Sequence, residues 1–65
     1  MNLKIEYNGI TYFSAKTDDV DQKTAAEAIE KCFGKADYIT LDDEEGNKII
    51  FGKEALSRSV ITVLA

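Results

Sequence analysis

The 65-residue chain is expected to fold as an α+β domain, with two β-hairpins flanking one helix packed on one face of a four- to five-stranded sheet (ββαβββ). Three observations predict this. Two runs, Leu3–Tyr7 and Ile10–Ala15, alternate apolar and polar residues on either side of Asn8-Gly9. One stretch alone, Val20–Phe33, carries apolar residues at three- and four-residue spacing. After it, Tyr38–Asp42 and Lys48–Phe51 bracket a Gly-containing turn, and Ser59–Leu64 is a further β-rich run.

The elements follow in order. Asn8-Gly9 predicts a two-residue type I′ loop, because that loop needs positive φ at both positions. The loop sets Tyr7 against Ile10, Ile5 against Tyr12 and Leu3 against Ser14, so these six share one face. Lys4, Glu6, Thr11, Phe13 and Ala15 share the other. In Val20–Phe33, the residues Ala25, Ala28, Ile29, Cys32, Phe33 and Ala36 fall on one side of a helical wheel, with Lys23, Glu27, Glu30 and Lys31 opposite. Either Asp21 caps the helix, with Val20 stapled to Ala25, or Asp19 caps it with Gln22 as its capping-box partner. Gly34 reads as the left-handed residue that ends the helix.

The second hairpin turns through Glu44-Glu45-Gly46, with Gly46 in the left-handed bulge position and Asp43 opposite Asn47. Ile39 then faces Phe51, Leu41 faces Ile49 and Asp42 faces Lys48. A shift by one residue would lose the opposite-charge pair. Gly52–Arg58 is a connector with room for one helical turn, pinned to the core by Leu56. The expected core is Leu3, Ile5, Tyr7, Ile10, Ala25, Ala28, Ile29, Cys32, Phe33, Ile39, Leu41, Ile49 and Phe51.

This layout resembles the immunoglobulin-binding domains of the protein G type, and more loosely the β-grasp folds. The shared features are the hairpin at Asn8-Gly9 followed by Thr11, a helix of similar length, and a second loop entered through Asp42-Asp43. The resemblance covers residues 1 to about 52 and implies that the first and fourth strands lie parallel at the sheet centre. It is one of layout, and no functional residue is carried across.

Composition bounds the function. One domain, residues 1–65, has room for one core, and a chain this short buries only about 60% of its unfolded surface. Small domains reinforce themselves with disulfides, metals or association. Cys32 is the only cysteine and there is no histidine, so an internal disulfide and a thiolate or imidazole zinc site are both excluded. Association is the route left open. A net charge of −4 argues against nucleic acid as partner. No apolar run approaches the ~20 residues of a membrane span, and Met1–Glu6 lacks a leader pattern, so a cytoplasmic location is expected.

Two surfaces are candidates for function. With alternating chain directions, the acidic residues Asp18, Asp19, Asp21, Asp42, Asp43, Glu44 and Glu45 gather at one end, and Lys35, Lys53 and Arg58 at the other. Helix capping and a solvated loop account for the acidic residues structurally. An acidic pole that docks on a protein is the functional alternative, and a Ca²⁺ or Mg²⁺ site the third, although neither run has calcium-loop spacing. The second surface is apolar: Phe13, Ala15, Tyr38 and Ile50 lie away from the helix, joined by either Val60 and Leu64 or Ile61 and Val63. Cys32 reads as a core residue, and Ser57 and Ser59 have no histidine to activate them. The expectation is a non-enzymatic protein-interaction module without cofactor or metal, homodimeric through the open sheet face or the C-terminal strand. A small acidic inhibitor or regulator, of the kind phages and mobile elements carry, is the alternative, and a weak divalent-cation binder the second alternative.

Overall fold

Asn8 and Gly9 hold φ of 54° and 77°, so the first turn is the left-handed loop that its sequence demands. The computed structural model, which describes residues Met1–Ala65, runs β1 (Asn2–Tyr7), β2 (Ile10–Phe13), α1 (Gln22–Cys32), β3 (Tyr38–Asp42), β4 (Lys48–Gly52), α2 (Lys53–Arg58) and β5 (Val60–Leu64). β1 and β2 pair as expected, Tyr7 with Ile10 and Ile5 with Tyr12. β3 and β4 pair Ile39 with Phe51, Leu41 with Ile49 and Asp42 with Lys48, again as expected. Gly46, at φ 83°, occupies the bulge position, and the Asp43 N–H donates to the Asn47 carbonyl at 2.9 Å.

The chain is α+β, but its strands form two antiparallel sheets rather than one: β2-β1-β5 and β3-β4. The parallel pairing of first and fourth strands implied by the resemblance is replaced by an antiparallel one, β1 with β5. The two sheets meet just after β2. At Ser14 the strand still donates its N–H to the Leu3 carbonyl at 2.9 Å, yet the Leu3 N–H is met by the Ser14 hydroxyl at 2.8 Å instead of a carbonyl. Further on, Thr17 and Met1 exchange main-chain bonds of 2.9 and 2.8 Å, one residue out of the earlier register. This is a β-bulge. It swings the chain so that the Ala15 N–H donates to the Asp42 carbonyl of β3 at 2.7 Å. The two sheets are hinged there.

Above the hinge, the inner faces pack on each other. Ile5, Phe51 and Leu56 are buried, surrounded by Tyr12, Ile39, Leu41, Ile49, Ala55 and Ile61, and the Tyr12 and Phe51 rings meet edge-on at 5.4 Å. Leu56 comes from α2, a true short helix where the sequence suggested one turn. α1 lies beside β5 instead of crossing the middle of a single sheet, turning Ala25, Ile29 and Cys32 inward. Ala28 and Phe33, expected in the core, are exposed, as is Ile10 next to the first turn. Asp21 is the N-cap, its carboxylate accepting from the Thr24 N–H at 2.7 Å. No Glu or Gln stands at the position needed for a capping box there. At the other end, Phe33 (φ −66°, ψ 127°) and Gly34 (φ 79°) form a type II turn closed by the Lys35 N–H on the Cys32 carbonyl at 3.2 Å.

The hinge makes a stability prediction. Ser14→Ala leaves the buried Leu3 N–H without an acceptor and is expected to lower stability by about 1–3 kcal/mol. Ser14→Thr keeps the hydroxyl and should lose less. Urea midpoints followed by circular dichroism measure both.

Candidate functional site

The acidic end is assembled by the hinge. Ala15, bonded to Asp42, stands three residues before Asp18, and the Thr17 hydroxyl accepts from the Asp19 N–H at 3.2 Å. Both acidic runs therefore leave the body at the same end. Three of the seven carboxylates are committed locally. Asp21 caps α1, Asp42 holds the Lys48 Nζ at 2.7 Å, and Asp43 organises its own loop. The Asp43 carboxylate accepts from the Glu45 and Asn47 N–H groups at 2.9 and 2.8 Å and from Asn47 Nδ2 at 3.2 Å. Asp18, Asp19, Glu44 and Glu45 form no ion pair. No three carboxylates converge on a point that could hold a metal ion, so the cation-binding expectation has no geometry behind it.

The apolar candidates are divided by the two sheets. Phe13, Val60 and Leu64 face outward from the three-stranded sheet, since they pair with Lys4, Glu6 and Asn2 while Leu3 and Ile5 face in. β5 thus contributes Val60 and Leu64 to the outside and Ile61 and Val63 to the inside. Between Phe13 and the β5 residues runs β1 with Lys4 and Glu6, 3.6 Å apart as an ion pair. The apolar side chains on this face are separated by a charged row. Ala15 sits at the hinge, half-buried.

Tyr38 and Ile50 lie elsewhere, on the outer face of the two-stranded sheet. Ile50 pairs with Thr40 and Tyr38 with Gly52, so the two large side chains are diagonal neighbours. They are 63% and 67% exposed, and nothing charged separates them. The six residues expected to form one patch therefore form two groups, and only Tyr38 with Ile50 makes an unbroken apolar pair.

Three hollows mark the surface. One of about 10 Å³ is closed by Ile29, Cys32, Phe33, Ile39, Leu56 and Ile61, which places the Cys32 thiol among core side chains as expected. A second, about 90 Å³, lies beside Gly34, Lys53 and Ser57. The largest, an open groove of about 420 Å³, follows the hinge from Met1 and Ser14 to Thr40 and Asp42. Its Ser14 hydroxyl and Asp42 carboxylate are already engaged with Leu3 and Lys48.

No family model, curated protein or solved structure matches this chain.

What the geometry offers is edges and faces. β5, the expected dimerisation strand, has its free edge closed by α1: Gln22 Nε2 donates to the Val63 carbonyl at 2.8 Å. In the sequence Gln22 offers only a capping-box partner for Asp19, and no local pattern ties it to a strand 41 residues away. No membrane-spanning helix is present.

The loop carboxylates give a pH dependence. The Asn47 N–H above all, with lesser bonds from the Asn47 side chain and the Glu45 and Gly46 N–H groups, holds the Asp43 carboxyl below its ordinary pKa. Thr24 does the same for Asp21. A carboxyl whose pKa is lower folded than unfolded adds stability above the unfolded value, and that stability is lost as pH falls through the folded value. The melting temperature should therefore drop on acidification from about pH 4, the ordinary aspartate range, downward. Asp43→Asn should flatten that drop, as followed by thermal melts from pH 6 to 2.

Proposed function

We propose that the chain is a non-enzymatic protein-interaction module that self-associates through the outer surface of the β3–β4 hairpin. The observation that carries this reading is the pair Tyr38 and Ile50, two large side chains about two-thirds exposed on a face whose other central residues are Thr40 and Gly52. Burying such a side chain fully is worth roughly 1.5–3 kcal/mol, so a second apolar surface has a real gain to offer here. On the three-stranded sheet the Lys4–Glu6 pair stands between Phe13 and Val60, whereas the Asp42–Lys48 pair of this face lies to one side of Tyr38 and Ile50. Only seven residues of the chain are buried, and association would add apolar cover that the small core lacks.

A second reading is favoured by the hinge itself. It gathers Asp18, Asp19, Glu44 and Glu45, free of ion pairs, at one end, as an acidic regulator docking on a basic protein surface would require. The two readings separate experimentally. Asp18→Lys with Asp19→Lys leaves self-association intact and weakens binding to a cationic protein at low salt.

Light scattering on a sizing column tests the leading reading. The wild-type chain should run at twice its 7.2 kDa mass, insensitive to moderate salt if the apolar pair dominates. Ile50→Glu and Tyr38→Glu should each return it to a monomer with an unchanged circular dichroism spectrum. A wild-type monomer at millimolar concentration removes the reading.

A further inference from the structure

The outer edge of β4 carries unpaired main chain. Because the Asp43 N–H donates to the Asn47 carbonyl, the bonded pairs of the ladder continue at Leu41–Ile49 and Ile39–Phe51. Lys48 and Ile50 consequently aim their N–H and C=O groups away from β3, while Gly52 is the N-cap of α2 and gives its carbonyl to that helix. β4 has no other strand neighbour, and neither the main chain of Lys48 nor that of Ile50 has a partner beyond β3. Two other edges carry a single contact each. Gln22 takes one carbonyl of β5, that of Val63, and the Ala15–Asp42 bond ties the end of β3 to the chain after β2.

Proteins usually defend such an edge with lysine. Here Lys48 is the residue in place, but Asp42, its cross-strand partner, holds its Nζ at 2.7 Å and so draws the side chain over β3, away from the free edge. The exposed stretch is left to Ile50 and to Gly52, whose missing side chain leaves open space beside the strand.

Building on the self-association proposed above, we infer that the occupant of this edge is β4 of a second copy, paired antiparallel about a two-fold axis at Ile50. Ile50 then exchanges both main-chain bonds with Ile50 of the other copy, and Lys48 lies opposite Gly52, where no side chain crowds it. Two two-stranded sheets become one of four strands, with both Ile50 and both Tyr38 side chains in a row on its outer face. The charges also match. Antiparallel pairing sets the acidic turn of one copy, Asp43–Glu45, beside the start of α2 of the other, where Lys53 stands. Lys53, Glu44 and Glu45 all lack an ion-pair partner within their own chain. The two-fold axis brings them together twice, because a C2 interface is self-complementary.

Amide hydrogen exchange by NMR, at dilute and concentrated protein, tests the pairing. The Ile50 amide should slow at least tenfold as the dimer forms, while the amides of Thr11 and Phe13 on the β2 edge do not. A dimer whose Ile50 amide still exchanges freely overturns the edge pairing and leaves self-association standing, since two faces can pack without main-chain bonds. A protein that stays monomeric overturns both. Lys53→Glu and Glu45→Lys should each weaken the dimer about tenfold, and the double variant should recover most of the loss. A double variant no tighter than the single ones overturns the antiparallel register.

Discussion

The architecture depends on one hydroxyl. Where β2 would otherwise run on beside β1, the Ser14 Oγ takes the place of a main-chain acceptor for the Leu3 N–H. A buried N–H without an acceptor costs about 1–3 kcal/mol, so the strand can leave the ladder here only because the side chain fills in. Within the bulge, before the chain rejoins Met1 at Thr17, it gives its next N–H, that of Ala15, to Asp42 on the other sheet. The consequences spread outward from that step. The two inner faces close on Ile5 and Phe51, and both acidic runs emerge at one end. The outward residues of the two sheets no longer share a surface.

The same substitution of side chain for main chain recurs at the second turn. The Asn47 N–H is met by the Asp43 carboxylate, where a regular ladder would use a carbonyl. A charged acceptor forms the stronger bond, and Asp43 spreads it over three donors of its own loop. The acidity of this end is therefore partly architectural. Three of its seven carboxylates hold a cap, a cross-strand lysine and a turn, and what remains for a partner is the smaller group of Asp18, Asp19, Glu44 and Glu45.

Both hairpin registers could be read in the sequence because their determinants are local. Asn8-Gly9 and Gly46 force left-handed backbone, and Asp42–Lys48 adds a charge pair that only one register satisfies. Strand parity was legible too: Phe13, Ile50 and Tyr38 do face outward. Which sheet each strand joins was not legible, because it turns on a bulge made by one serine, and serine at a strand end has many uses. The helix face was degenerate for a different reason. Ala25, Ala26 and Ala28 differ in direction but hardly in hydrophobicity, so the wheel could not decide between a seam of Ala25, Ile29 and Cys32 and one reaching Ala28 and Phe33. Gln22, which closes the β5 edge, could not have been found locally, since its partner is distant in sequence and is a main-chain carbonyl.

In the self-association proposed above, edges matter beside faces, and two of the edges are shaped by where polar side chains reach. β5 and β4 look alike as sequence, each a short apolar strand at the rim of its sheet. Gln22 reaches across to β5 and occupies Val63, while Asp42 draws Lys48 back over its own hairpin and uncovers Ile50. A strand edge with unpaired main chain, an exposed isoleucine and no guarding charge favours a further strand, because water already solvates the polar groups and the added gain comes from the apolar side chains. On the self-association proposed above, that asymmetry favours the second hairpin over the C-terminal strand as the surface used. The core itself stays small, and the large apolar side chains left outside it are spread over both sheets and the ends of α1, with Ile50 the one on β4.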